Sequence, residues 1–289
     1  MSLRDHLATG ATTVARCWAV TRRDGLTLGF TDHDRPLTFD GIDFRPETGL
    51  SARAVVQGTG LAVDNTEALG LLSSDAITDA DIEAGRYDEA ELRLWAVNWA
   101  DPTQRELRFR GTLGEIRRGD GAFHAELRGL TEALNRPVGR LFQTTCGAVL
   151  GDRACGFDTA RPGFSAELAC GITDGSVFRL PGLDAFAPRW FERGRLTVLT
   201  GAARDLRGVV KHDRIEGGMR VLELWSPLRA PLAPTDRIRL EAGCDRRAIT
   251  CRTRFDNIAN FRGFPFIPGE DWLMSVPSRS GANDGGSLR

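Results

Sequence analysis

Val14-Ala-Arg-Cys-Trp-Ala-Val-Thr-Arg-Arg-Asp-Gly-Leu-Thr-Leu-Gly-Phe30 is the stretch that decides the fold class. Its first half alternates, with Trp18 and Val20 on one face of an extended chain and Cys17 and Ala19 on the other. The Asp24-Gly25 pair suits a two-residue hairpin, since such turns need a left-handed backbone that glycine adopts at no steric cost. Leu26, Leu28 and Phe30 then resume the alternation on a returning strand. A second pair, Asp40-Gly41, joins Leu37-Thr-Phe39 to Ile42-Asp-Phe44 in the same way. Two hairpins in succession predict an antiparallel sheet.

Outward from this core the strand period persists. Glu91–Val97 and Glu106–Arg110 read as strands, and a further hairpin turns at Gly119-Asp-Gly121, after which Phe123, Ala125 and Leu127 alternate with His124, Glu126 and Arg128. Helices are short: an arm at the start, 74–85 with Ser74 or Thr78 as cap and Gly85 as stop, and 130–135 before Pro137. The break at Asn135-Arg-Pro-Val-Gly139 marks a domain boundary, giving a first domain over 1–137 and a second over 138–276. The second contains strand-like segments at 176–180, 195–199, 208–210, 220–224 and 236–240, a spacing that predicts a small barrel or sandwich. Residues 277–289 have no apolar anchor and are expected to be disordered. The fold class is mainly β with short helices.

A hydrophobic content of 41% and a charged content of 27% are those of a globular protein, and 289 residues suit two domains. A net charge of −1 gives no electrostatic case for general nucleic-acid or membrane binding. Lys211 is the only lysine, so arginine is the habitual base here and a single arginine says little about a phosphate site. No run of about 18 apolar residues is present, and the opening residues lack the apolar core of a signal peptide, which predicts a chain made in the cytoplasm.

In a reducing compartment, clustered cysteines more often hold metal than form disulfides. Cys146 and Cys155 form one pair, Cys-x8-Cys, and Cys244 and Cys251 another, Cys-x6-Cys, on either side of the β-rich segment. If the four meet, they tie both ends of that module to one point and remove loop-closure entropy from the unfolded chain. Four soft thiolates suit zinc or an iron–sulfur cluster, and this spacing does not choose between them. Phe255, Phe261, Phe264 and Phe266 follow the second pair and are expected to exclude water from the centre, while Arg252 and Arg254 would offset its charge.

Other candidates read as structural. Cys17 and Cys170 are expected to be buried thiols, because none of the four histidines pairs with them as a base. His33, between Asp32 and Asp34, reads as a loop cluster fixing a turn, and His6, His124 and His212 as surface or packing residues. The acidic run Asp79, Asp81 and Glu83 reads as a solvated helix face. No hydrolase, zincin, phosphate-loop or dinucleotide signature occurs.

Two runs carry a resemblance: Gly29-Phe-Thr-Asp-His-Asp-Arg-Pro-Leu-Thr-Phe-Asp-Gly41, and Gly243 through Asp271 with its Arg252-Thr-Arg-Phe-Asp-Asn-Ile-Ala-Asn-Phe-Arg-Gly-Phe-Pro-Phe-Ile-Pro-Gly269 core. The chain resembles, from about residue 10 to about 275, the phage-type tail hub proteins of prophages and gene transfer agents. Its cysteine arrangement is similar to that of lambda-like tail-tip proteins with a C-terminal iron–sulfur domain. The resemblance implies Cys146, Cys155, Cys244 and Cys251 as ligands of a [4Fe-4S] cluster, with structural zinc as the runner-up. It further implies a tail-tube or hub-like N-terminal β-domain and a non-enzymatic homotrimer at the tail tip. That trimer would be assembled in the bacterial cytoplasm and join the distal tail ring to a larger tip or fibre protein, with a tail-associated peptidase as another possible neighbour. The rival expectations are an iron–sulfur or zinc-dependent enzyme or redox protein, and a tail-associated cell-wall hydrolase.

Overall fold

The computed structural model describes residues 2–46, 65–66, 77–119, 122–130, 134 and 138–268. The chain divides into two compact units, one of residues 1–138 with the returns 198–206 and 227–236, the other of 139–197, 207–226 and 237–289. Among the described residues, no helix is long and apolar enough to cross a membrane.

The first unit is built on an eight-stranded sheet in the order β3-β4-β2-β1-β6-β7-β8-β5. Its long members are β1 (Val14–Thr21), β6 (Glu91–Asn98), β7 (Arg105–Gly119) and β8 (Ala122–Gly129), flanked by β2 (Thr27–Thr31), β3 (Leu37–Phe39), β4 (Ile42–Pro46) and β5 (Asn65–Thr66). Both expected hairpins form: Thr21 opposes Thr27 across the first turn, and Phe39 opposes Ile42 across the second. Asp40 and Gly41 both take positive φ there, as a tight turn of this kind demands. The expected antiparallel pattern fails at one place. β4 lies between β3 and β2 and pairs with β2 in parallel, because the second hairpin docks through its returning strand.

Both faces of β1 are buried. Trp18 and Val20 enter a core with Phe30, Tyr87, Leu92, Phe109 and Leu127, whereas Cys17 and Ala19 pack with Phe39, Phe44, Trp95 and Val97. On that second face Phe39 and Phe44 stack at 4.2 Å between ring centroids, and each meets Trp95 edge-on at 5.6 and 5.7 Å. Small residues on β1 leave room for these rings.

Helices are short, as expected. α1 (Leu3–Ala8) has a capping box between Ser2 and Asp5, and α2 (Asp79–Glu83) is capped by Thr78. The expected start near Ser74, the Asp120-Gly121 turn, most of the 130–135 helix, the Asn135–Pro137 break and the 277–289 tail lie outside the described residues. The acidic run is a solvated face at Asp79 and Glu83, both exposed, but not at Asp81, which pairs with Arg86 at 2.9 Å and with Arg22 at 3.2 Å, the latter guanidinium being almost wholly buried. Arg22 also binds Asp24, and that pairing holds the Asp24 carboxyl below the ordinary carboxylate range.

In the second unit the expected barrel or sandwich is one seven-stranded sheet, β10-β11-β14-β13-β12-β15-β9. Its strands are β9 (Ser165–Ala169), β10 (Ile172–Asp174), β11 (Val177–Leu180), β12 (Arg195–Val198), β13 (Arg207–Glu216), β14 (Met219–Leu224) and β15 (Arg237–Glu241). Apolar residues alternate inward, for example Ile238 and Leu240 on β15, each fully buried.

A buried ion pair anchors the sheet to the segment 183–191. Arg220 on β14 makes two hydrogen bonds of 2.7 Å to Asp213 on β13, and donates to the carbonyls of Leu183 (3.2 Å), Phe186 (2.8 Å) and Ala187 (2.5 Å). Asp213 also accepts the Phe191 N–H at 2.8 Å. Every charged oxygen and most guanidinium protons are thus matched, the condition under which a buried pair is tolerated.

Candidate functional site

The second unit closes around its cysteines through backbone, before any question of metal arises. α3 (Ala248–Thr253) carries Cys251 on its buried side, and Cys244 lies just after β15, where Gly243 passes the 191–194 segment. Gly243 donates to the Trp190 carbonyl at 2.8 Å. A Cβ on Gly243 would stand 1.6 Å from the Glu192 carbonyl oxygen, so only glycine allows this approach.

The first pair is held by Asp152. Its carboxylate accepts the N–H of Val149 (2.8 Å) and of Cys155 (2.6 Å), turning the chain between Cys146 and Cys155. Burial works against the charge, yet these backbone donors outweigh it and keep the Asp152 carboxyl below its ordinary pKa.

Three residues stitch the two pairs together. Cys146 donates its N–H to the Arg246 carbonyl at 2.8 Å, while the Arg246 N–H points at Cys244 Sγ at 3.3 Å, with Arg246 in a left-handed conformation at φ 63°. The Arg262 N–H points at Cys146 Sγ at 3.3 Å. Asn257 donates its N–H to the Cys251 carbonyl (3.0 Å) and its side-chain amide to the Cys155 carbonyl (2.8 Å), with Cys155 Sγ 3.5 Å away. Asn260 in turn donates to Asn257 Oδ1 at 2.8 Å and fixes its orientation.

The result is one small cavity whose wall includes Cys146, Cys155, Cys244 and Cys251, with Phe255, Asn257 and Phe261 between them. Burial raises the Cys244 pKa and pushes Cys251 up to about 11, each raised further by the other sulfurs of the set. Neutral thiols are therefore favoured at neutral pH unless a cationic group compensates.

The donor chemistry fits a group that takes thiolates: four sulfurs, N–H groups aimed at three of them, and a largely apolar surround. It does not form a single-ion centre. Among the described residues, no group of three or more His, Cys, Asp or Glu side chains is arranged to hold a metal ion. The four-cysteine metal centre expected to close this module is thus not established by the fold.

The expected aromatic cover is divided. Phe255 and Phe261 line the cavity, but Phe264 packs on Phe142 at 4.8 Å and Phe266 is 75% exposed. Of the expected arginines, Arg254 lies over the Trp190 ring at 4.6 Å and Arg252 is exposed and does not line the cavity, whose wall instead includes Arg246. Asn257, Asn260 and Asp152 were missed because an Asx residue in a Gly-rich loop reads first as a turn former.

Cys17 and Cys170 are fully buried and neither lines the cysteine cavity; burial pushes the Cys17 thiol up to about 11. His33 fixes its turn, accepting the Arg35 N–H at 3.0 Å and lying 5.0 Å from the Trp99 ring. His6 binds Thr13 and His212 is exposed, while the His124 side chain lies outside the described residues.

Residues 1–158 match the family described as baseplate hub protein, N-terminal attachment domain. The chain belongs to the baseplate hub family. Residues 189–271 of this hub chain match a second family, described as phage conserved hypothetical protein BR0599. A solved structure titled virion of native gene transfer agent particle contains a similar chain, 58% identical, with a TM-score of 0.91, covering 100% of this chain and 99% of that one. Among curated proteins none matches. The hub chain is a structural component of a phage-like tail or baseplate.

Proposed function

We propose that this chain forms the hub of the tail tip in a particle of the gene-transfer-agent kind, as a closed ring of three copies joining the distal tail ring to a larger tip or fibre protein. Its likeness over full length to a chain of such a virion supports the particle type. Long antiparallel strands with both faces covered give a rigid first unit suited to attachment, and identical copies in head-to-tail contact close into a ring when the rotation allows.

We propose further that Cys146, Cys155, Cys244 and Cys251 hold an iron–sulfur cluster of the [4Fe-4S] type. The observation that carries this reading is the single cavity lined by all four cysteines. A four-iron body takes one thiolate at each iron, and this wall offers four. The group would supply a covalent staple between the ends of the module. The chain's own part is to aim the Arg246, Arg262 and Asn257 N–H groups at sulfur and to keep Phe255 and Phe261 between the site and water.

Anaerobic purification tests the assignment: iron and acid-labile sulfide near four each per chain, with broad visible absorption, are expected for such a cluster. Zinc in place of iron in an anaerobic preparation would overturn it. The ring is tested separately by imaging purified particles, where a symmetry other than threefold at this chain refutes the trimer.

A further inference from the structure

Beside the cysteine cavity, and sharing Leu150, Cys244 and Arg246 with it, the second unit has a wide open cleft. Its floor and walls carry Arg193, Arg195 and Arg246, with Val209 and Trp225 along one side. The single carboxylate in the wall, Glu241, is buried, bonded to Arg195 and to Thr159 (2.6 Å), and so neutralises one of the three arginines. Arg193 donates to the Asp245 carbonyl at 3.4 Å, and among the described residues neither Arg193 nor Arg246 has a carboxylate within ion-pair distance.

Both arginines are exposed side chains on a hydrogen-bonded backbone. Both sit at positive φ, 64° and 63°. Arg193 N–H is bonded to the Val210 carbonyl at 2.8 Å, and Val210 N–H returns to Gly194 at 2.9 Å. Next to them, Trp225 is 68% exposed and Val209 52% exposed, both rooted in the sheet. Arginines without a carboxylate partner beside exposed apolar surface resemble the centre of a recognition site more than an ordinary solvated face, since aromatic and arginine side chains dominate such centres.

We propose that this cleft is the docking groove for an extended acidic segment of another protein of the particle, with carboxylates on Arg193 and Arg246 and an apolar side chain against Trp225 and Val209. Charge complementarity selects an acidic occupant. The exposed apolar side, Val209 and Trp225, favours a peptide that carries apolar side chains over a phosphate backbone, which has none to place there. A segment seated in the groove covers the Cys244 side of the cysteine cavity. The inference does not rest on the cluster, because every residue it uses is fixed by the protein alone.

The test places a photo-crosslinker in full-length chain within particle-producing cells, as Val209→p-benzoylphenylalanine, and identifies the adduct in purified particles by mass spectrometry. The expected adduct is an Asp/Glu-rich segment of a different particle protein, reduced about tenfold by Arg193→Glu. Trp225→Ala, at an exposed position, is the second variant and should reduce it similarly. An adduct to nucleic acid, to a second copy of this chain, or none at all overturns the proposal. In solution, the purified chain should bind the fluorescent peptide Glu-Phe-Glu-Phe-Glu in a salt-sensitive manner and not Lys-Phe-Lys-Phe-Lys. Stronger binding of an oligothymidylate than of the acidic peptide also refutes it.

Discussion

Replacing Arg220 with methionine removes the cation from the middle of the second unit while keeping much of the side-chain volume. The Arg220 side chain is 2% exposed and that of Asp213 0%. The change leaves the Asp213 carboxylate buried with one remaining donor, the Phe191 N–H, and strips the carbonyls of Leu183, Phe186 and Ala187 of the Arg220 donors. An uncompensated buried charge of this kind costs about 3–5 kcal/mol. At about 3 °C per kcal/mol for a domain of this size, the unfolding transition of the second unit should fall by roughly 10 °C. The segment 183–191 is also what presents the Trp190 carbonyl to Gly243, next to Cys244. Arg220→Met should therefore expose the cavity cysteines to alkylation well below the global transition. Calorimetry and thiol alkylation with mass spectrometry provide the two readouts. The double variant Asp213→Leu/Arg220→Met should recover most of the loss, since an apolar pair carries no desolvated charge. A single variant within about 1 kcal/mol of the parent, on the scale of an exposed pair, would refute the reasoning.

Three further expectations follow from the same geometry. Gly243→Ala forces a Cβ to within 1.6 Å of a backbone oxygen, so that chain crossing must open, and circular dichroism should report a loss of about 3 kcal/mol or more. The Glu241 carboxyl is penalised by burial but held below the ordinary glutamate range by hydrogen bonds from Arg195 and Thr159. Its contribution is therefore full above the unfolded value of about 4.3 and is lost as pH falls through the lower folded value, so Glu241→Gln should flatten that part of the acid-unfolding curve. Cys17, with its thiol raised to about 11 and no exposed surface, should resist alkylation at pH 8 in native protein and react only on unfolding; fast native labelling of Cys17 would contradict its burial.

The alternation of Val14–Val20 and the two Asp-Gly pairs were enough to give mainly β structure and both hairpins, because side-chain period and turn chemistry are local properties of the chain. The same reading of the acidic run as a solvated face failed at Asp81, since its partners Arg22 and Arg86 arrive from other elements and leave no trace in spacing. The parallel β2–β4 contact was hidden for a similar reason: a hairpin's sequence fixes its own pairing but not which of its strands meets the sheet.

At the cysteines, residue type and the long interval between the pairs pointed to a shared site, and the resemblance quoted from Gly243 onward named the kind of protein. What the tertiary structure alone decided is how the pairs meet. The Asn257 amide reaches Cys155 across 102 positions, Arg262 reaches Cys146 across 116, and Gly243 clears a carbonyl that no pattern in its neighbours announces. Local sequence sets the conformation a segment prefers; contacts at that separation depend on how segments pack, and packing is where the buried Asp213–Arg220 pair and the arginine cleft also arise.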